Sequence, residues 1–233
     1  MNNSHRSNLR QTTYEAIKML IITGQLSPGS RVSEADLANR LEVSRTPVRE
    51  ALSRLEHDGF VLPRPRNGYS VMRIDIDTVN EAYDVRDVLE AEATKLATKA
   101  IDDAGRAELR AIIDECDRLA ALPDRTMQDD LREMQIGIDL HRIIARHSGN
   151  SLLCSLLDGV LDRCQAYVWL DVTNLNSFAA ARDDHRAIVD AVCRGDVDAA
   201  VELTCRHMSE ARENVLSVVR LRRSFHDIMS STG

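Results

Sequence analysis

Arg45 and Arg49 lie four residues apart in VSRTPVREALSRLEHDGFV (Val43–Val61). On a helix that spacing puts both guanidinium groups on one face. A planar guanidinium pairs bidentately with guanine O6 and N7, and free N–H groups at a helix N-terminus attract phosphate. The chemistry on offer is major-groove reading. The middle of the stretch, Thr46 to Leu55, has helical period. Pro47 suits a first turn, where its missing N–H has no partner to lose. Val48, Ala51, Leu52 and Leu55 follow at i, i+3, i+4 and i+7 as one apolar stripe. Arg45, Arg49, Ser53 and Glu56 fall opposite. The same pattern fits an amphipathic helix whose polar face is merely solvated, so the flanking segments decide.

Those segments predict a support for the arginines. Leu9 to Thr23 reads as a helix, with Tyr14, Ile17, Leu20 and Ile21 on one face and Gly24 just past its end. Leu26-Ser27-Pro28-Gly29 is a turn and Arg31-Val32 a short strand. Ser33 caps a helix from Glu34 to Leu41, with Asp36 at the position of a variant capping box. Glu42-Val43-Ser44 then turns tightly into the arginine-bearing helix, which makes a helix-turn-helix. Phe60-Val61-Leu62 and Tyr69-Ser70-Val71-Met72 flank PRPRNG, in which Asn67-Gly68 is a strong hairpin signal. Arg64 and Arg66 sit near the tip, within reach of phosphates or a neighbouring groove. Residues 9–73 therefore read as helix, strand, helix-turn-helix and two-stranded wing.

Charge divides the chain in the same place. Residues 1–74 hold 11 Lys/Arg against 7 Asp/Glu, a net +4, while the remainder holds 19 against 30, a net −11. A basic head on an acidic body fits a DNA-binding module joined to something else. The expected domains are 1–74 and 75–233, and the expected class is mainly α. With aromatics at 3 % of 233 residues, the core must come from Leu, Ile, Val and Ala, which suits helices. Ile74 to Asp77 is a short linker. Beyond it, helices are expected near 77–101, 104–121, 127–147, 150–171, 176–194 and 196–222. Pro123-Asp124, Ser148-Gly149-Asn150 and Arg194-Gly195-Asp196 punctuate them, and Asp196 is a good N-cap. Six helices without a heptad register make an all-α bundle. The polar start MNNSHRSNLRQTT and the lack of a ~20-residue apolar run predict neither a secretory signal nor a membrane span. Five cysteines without a C-x-x-C pair predict reduced thiols and a cytoplasmic protein.

PGSRVSEADLANRLEVSRTPVREALSRLEHDGFV resembles the DNA-binding head of the GntR family of bacterial transcription regulators. The resemblance implies DNA contacts from Arg45, Thr46 and Arg49, a minor-groove approach by Gly68, and phosphate contacts within reach of Arg31 and Ser44. Ala35 stands where fatty-acid-responsive members carry a DNA-contacting arginine, so operator preference does not carry over from them.

YDVRDVLEAEATKLA (Tyr83–Ala97), DLHRIIARHSGN (Asp139–Asn150), DDHRAIVDAVCRGD (Asp183–Asp196) and the helix of Arg206-His207-Met208 resemble the ligand-binding FCD domain of the FadR branch, in its six-helix, VanR-like form. Many members bind a divalent metal through one aspartate and three histidines, and those histidines match His141, His185 and His207. The residues agree: each histidine falls on the inward stripe of a different helix, and neutral imidazoles converging in a bundle suit Zn²⁺ or Ni²⁺. Three separate core histidines would give the same stripes. The family aspartate, four residues before the first histidine, is here Gly137. Asp139 lies about 200° round the helix from His141 and cannot replace it without a bulge. A three-histidine site should hold metal more weakly and pull harder on an anion, so it is expected metal-poor or filled by water and an organic acid. Arg86 matches an arginine that can hold an effector carboxylate; an ion pair with Asp87 or Glu90 on a solvated face is its plain alternative. Asn150 either lines the pocket or caps the next helix.

The expected function is a ligand-responsive transcription regulator, a repressor. It binds a pseudo-palindromic double-stranded operator as a homodimer and is released by a small carboxylate. Two alternatives compete. A metal-dependent enzyme on the three-histidine site needs a positioned general base, for which no H-E-x-x-H is present. An architectural DNA-binding dimer would have no effector.

Overall fold

The computed structural model describes residues 2–64, 68–175 and 178–231. It divides into two units, Met1–Asp75 and Ile76–Gly233, so the change falls one residue beyond the expected boundary. No described helix is long and apolar enough to cross a membrane.

In the first unit, α1 (Asn2–Ile22) starts seven residues before the expected Leu9. No glycine or proline precedes Gly24, so nothing in the backbone stops the helix there. Gly24, at φ +73°, lies two residues past its end at Ile22. β1 (Arg31–Val32) leads to α2 (Glu34–Arg40), whose cap is half of the expected box: Ser33 Oγ accepts from Asp36 N at 3.4 Å. α3 (Arg45–His57) buries the expected stripe of Val48, Ala51, Leu52 and Leu55. Between α2 and α3, Glu42 takes φ +56°, and Val43 N donates to Ala38 O at 3.0 Å. A left-handed non-glycine residue costs roughly 1–2 kcal/mol, the strain needed to turn the chain this tightly. β2 (Val61–Arg64) and β3 (Gly68–Val71) pair antiparallel, Val61 opposite Val71 and Arg64 opposite Gly68. β1 adds to the other edge of β3, giving the order β1-β3-β2. Tyr14, Ile17, Leu37, Leu52, Leu55, Phe60 and Val71 fill the core.

The second unit is α4 (Ile76–Ala100), α5 (Asp103–Ala120), α6 (Met127–His147), α7 (Ser151–Leu175), α8 (Phe178–Arg194) and α9 (Val197–Ser231). Local chemistry sets most starts. Asp102 Oδ1 accepts from Gly105 N at 2.8 Å, Thr126 and Asp129 form a reciprocal capping box, and Asp196 Oδ1 accepts from Ala199 N at 3.2 Å. α9 runs nine residues past the expected 222 because no glycine or proline interrupts it. α4 lies against α6, α7 and α9. One core cluster joins Ala97, Leu109, Leu140, Ile144, Ile188 and Val192; another joins Ala93, Ile138, Ala145, Leu157 and Leu161.

Candidate functional site

Each unit carries one candidate site. In the first, α3 starts at Arg45, one residue before the expected Thr46. Ser44 is its N-cap, at φ −71° and ψ 164°, and makes no side-chain cap hydrogen bond. Its hydroxyl is exposed beside the free N–H groups of the first turn. Arg45, Thr46 and Arg49 are exposed while Pro47 and Val48 are buried, so packing turns the polar face outward. Arg31 is exposed on β1. Gly68 opens β3 at φ +76°, and a Cβ there would meet Val32 O at 3.0 Å. Only glycine combines that dihedral with so close an approach to β1. Arg66 and Asn67 lie outside the described residues. Arg64 donates from Nη2 to Gly29 O at 3.4 Å.

Arg49 is not a free cation. Its Nε and Nη2 lie 3.1 Å from Oε1 and Oε2 of Glu34, on α2. That hydrogen bond, with the carboxylate charge behind it, raises the guanidinium pKa.

In the second unit, His141 on α6, His185 on α8 and His207 on α9 converge. Their ring centroids are 5.3, 5.5 and 4.6 Å apart, and all three residues are buried. The expected inward stripes are therefore real, and they point at one another. One candidate ligand atom from each ring lies within 4.8 Å of the others. Nε2 of His185 and Nε2 of His207 are 3.0 Å apart. Two nitrogens each held at about 2.1 Å from one cation are about 3.0 Å apart at the right angle of octahedral coordination and about 3.4 Å apart at a tetrahedral angle, so the residues present fit a borderline divalent metal.

Two carboxylates set the rings. Glu90 Oε2 lies 2.6 Å from Nδ1 of His141, and Asp184 Oδ2 lies 3.2 Å from Nδ1 of His207. A carboxylate at Nδ1 holds the proton there and leaves the Nε2 lone pair for a ligand. Burial alone would raise the Glu90 carboxyl, but the His141 ring and the Arg86 guanidinium outweigh it and hold it at about 2. The hydrogen bond from His207 holds Asp184 low despite its partial burial. Burial lowers His141, with Glu90 opposing, and drives His185 well below the ordinary histidine range.

Arg86 combines parts of both readings of the sequence. It lines the cavity beside the histidines, but it is fully buried and gives Nε to Oε1 of Glu90 at 2.8 Å. The ion pair is the expected one with Glu90; its surroundings are core, not solvent. Of its two readings, Asn150 follows the capping one. It is exposed, its Oδ1 accepts from Leu153 N at 3.1 Å, and it does not line the cavity. An asparagine directly before Ser151 has a free helix N–H within reach, and capping claims it. Asp139 is engaged by Gln135 at 3.0 Å and Arg142 at 3.3 Å, away from the cluster. A Cβ on Gly137 would meet Cε1 of His185 at 3.0 Å, so the imidazole rests in space a side chain there would enter.

The cavity, of about 100 Å³, is also lined by Glu133, Arg182, Asp184 and Glu210. Glu133 takes Arg182 on Oε1 and Arg125 on Oε2, each at 2.5 Å. Sequence reading missed the contact of Glu90 with His141, the role of Asp184 and the Glu133 clasp. For Glu90 a signal existed, since Val79, Tyr83, Arg86, Glu90, Ala93 and Ala97 form one buried stripe of α4.

Comparison with known proteins follows this division. Residues 9–71 match the family described as bacterial regulatory proteins, gntR family, and residues 81–210 match the FCD domain. The chain is 30 % identical to an HTH-type transcriptional regulator in an unstable DNA locus of Streptomyces ambofaciens, over 88 % of this chain and 84 % of that one. It is 28 % identical to the HTH-type transcriptional regulator YdhC of Bacillus subtilis, over 88 % and 90 %. Its fold is similar to that of a GntR transcriptional regulator from Rhodococcus, with a TM-score of 0.70 at 23 % identity, over 92 % and 99 %.

Proposed function

Because this chain belongs to the gntR family of bacterial regulatory proteins and carries an FCD domain, it is a DNA-binding transcription regulator and not an enzyme, and we propose that it is a cytoplasmic repressor released by a small carboxylate bound together with a divalent cation. As a homodimer it places two heads on a pseudo-palindromic operator. Arg45, Thr46 and Arg49 read bases, Arg31 and Ser44 take phosphates, and Gly68 with Arg66 brings the wing to the neighbouring groove. Arg49→Ala then costs about 1–3 kcal/mol at the cognate site.

The charge of the cavity supports the effector reading. Glu133, Asp184 and Glu210 line it against Arg86 and Arg182, and burial keeps His141 and His185 uncharged near pH 7. An organic anion entering that space alone meets no net positive charge. A Zn²⁺ or Ni²⁺ ion would be held by His141, His185 and His207 and would supply one, and with Gly137 in place of a carboxylate none of that charge would be cancelled by these ligands. The residues of the chain orient the ligand: Glu90 and Asp184 fix two of the rings, and Arg182 borders the space the anion fills. A cavity this small suits a short acid better than a long acyl chain.

The test is a thermal-shift screen of short mono- and dicarboxylic acids on chelator-treated protein, with and without Zn²⁺ or Ni²⁺, followed by anisotropy on operator DNA. The acid that raises Tm should do so only with metal, and should release the DNA under the same conditions. Equal stabilisation in excess chelator would reject the cation-dependent reading.

A further inference from the structure

The pair formed by Arg49 and Glu34 has a geometry suited to more than a surface ion pair. A guanidinium has two edges that can each make a double hydrogen bond, the side edge of Nε and one Nη and the end edge of the two Nη groups. Glu34 takes the side edge, Nε on Oε1 and Nη2 on Oε2, both at 3.1 Å. The end edge remains. Glu34 is also the more anchored partner: it is the first residue of α2, directly after the Ser33 cap, and α2 packs on α3 through Leu37 and Ala38. Its side chain is 27 % exposed against 67 % for Arg49, so the arginine is held at its inner side and open at its outer end. Arg45, one turn earlier, has no carboxylate within ion-pair distance among the described residues.

We propose that Glu34 is a positioning residue for base recognition, holding Arg49 by one edge so that the other is presented to guanine O6 and N7. The proposal rests on Arg49 reading a base. A free arginine carries large rotamer entropy, and fixing it before binding removes that cost from the encounter. Tethering also blocks an escape. An untethered arginine that meets adenine, whose N6 group is a donor, can swing to a phosphate and keep most of its energy. A tethered one cannot, and the Glu34 carboxylate repels phosphate as well. Glu34 therefore gives up affinity for DNA in general and gains discrimination at one base pair.

The experiment uses full-length protein and a duplex site selected by the wild type from a randomised library. Binding to the site, to its single-base variants and to random duplex is measured by anisotropy at one salt concentration. Glu34→Ala should lose about tenfold of its discrimination at one base pair per half-site, the pair at which Arg49→Ala also loses it. Its affinity for random duplex should be unchanged or higher, and the double variant should discriminate no worse than Arg49→Ala alone. Glu34→Gln, which keeps the side-chain length but not the charge, should show the same loss and covers the case in which the alanine variant folds poorly. Full discrimination in both Glu34 variants, with loss in Arg49→Ala, overturns the positioning role while leaving Arg49 as a reader. Uniform loss over all sequences in Arg49→Ala overturns both, since Arg49 would then contact phosphate only.

Discussion

Nδ1 of His141 lies 2.6 Å from Oε2 of Glu90, and the other oxygen of the same carboxylate receives Nε of Arg86 at 2.8 Å. Both side chains of the ion pair are only 3 % exposed. A buried ion pair of this kind is weak evidence for stability, because desolvation offsets most of the attraction. Its asymmetry is informative. Removing one partner strands a charge in the core, whereas removing both does not.

Arg86→Met and Glu90→Met should each destabilise the protein by roughly 3–5 kcal/mol. The double variant should cost clearly less than the sum of the two, as read by urea unfolding. Glu90→Met should also weaken Ni²⁺ binding about 10–100-fold, because Glu90 orients His141. Additive costs would show that the two residues do not act as a pair.

Acid should destabilise the chelator-treated protein in two stages. Burial lowers His141 and His185, so the folded state refuses protons that the unfolded state accepts below pH 6.5. Their contribution is complete above that pH and is lost as pH falls toward the depressed folded values. Glu90 is held at about 2 against an ordinary 4.5, so its contribution is complete above pH 4.5 and is lost between there and about pH 2. Each proton of difference gives a slope of about 1.4 kcal/mol per pH unit. Stability measured against pH should be level near neutrality and fall below pH 6.5, and His185→Gln should make that first fall shallower. An unchanged slope in the variant would show that His185 is not the group taking up the proton.

The sequence pattern reaches a definite depth here. Period alone places His141, His185 and His207 on the inward faces of three helices, because a helix fixes which residues share a face. Ser33, Asp196 and the Val48–Leu55 stripe are legible for the same local reason. Period does not say which inward faces meet. The bond from His207 to Asp184 joins residues 23 positions apart on different helices, and no spacing rule contains it. Glu90 was within reach: two charges on an otherwise apolar stripe of α4 mark a buried pair, not a solvated one. Asn150 shows how one residue type serves two chemistries, with the unfilled N–H groups of a helix start claiming it first. α1 and α9 exceed their expected lengths because a helix without a breaker continues past the last residue that needs to be buried.

The cysteines should react in the order of their burial. Burial pushes the Cys116 and Cys164 thiols up to about 11, and both are buried, whereas Cys205 is exposed. The thiolate is the reactive form. Limited alkylation followed by mass spectrometry should mark Cys205 first, Cys154 and Cys193 later, and Cys116 and Cys164 only under unfolding conditions. Early labelling of Cys164 would reveal a local opening between α4 and α7.

Gly137→Asp tests what the missing carboxylate does. Gly137 lies one turn before His141, and a Cβ there meets Cε1 of His185 at 3.0 Å, so the ring must yield by a few tenths of an ångström. Gly137→Ala isolates that step: the helix gains about 1 kcal/mol of propensity, less whatever the displaced ring costs. The aspartate adds a charged oxygen to the three nitrogens. Ni²⁺ affinity, measured by calorimetry, should rise by roughly tenfold or more, since one added carboxylate cancels half of the cation charge in a buried site. The same cancellation should shrink the metal-dependent Tm shift given by a carboxylic acid. Tighter metal with an undiminished acid response would mean that the acid is held by Arg182 and not drawn by the cation. Unchanged metal affinity would mean that the His185 ring keeps the new carboxylate out.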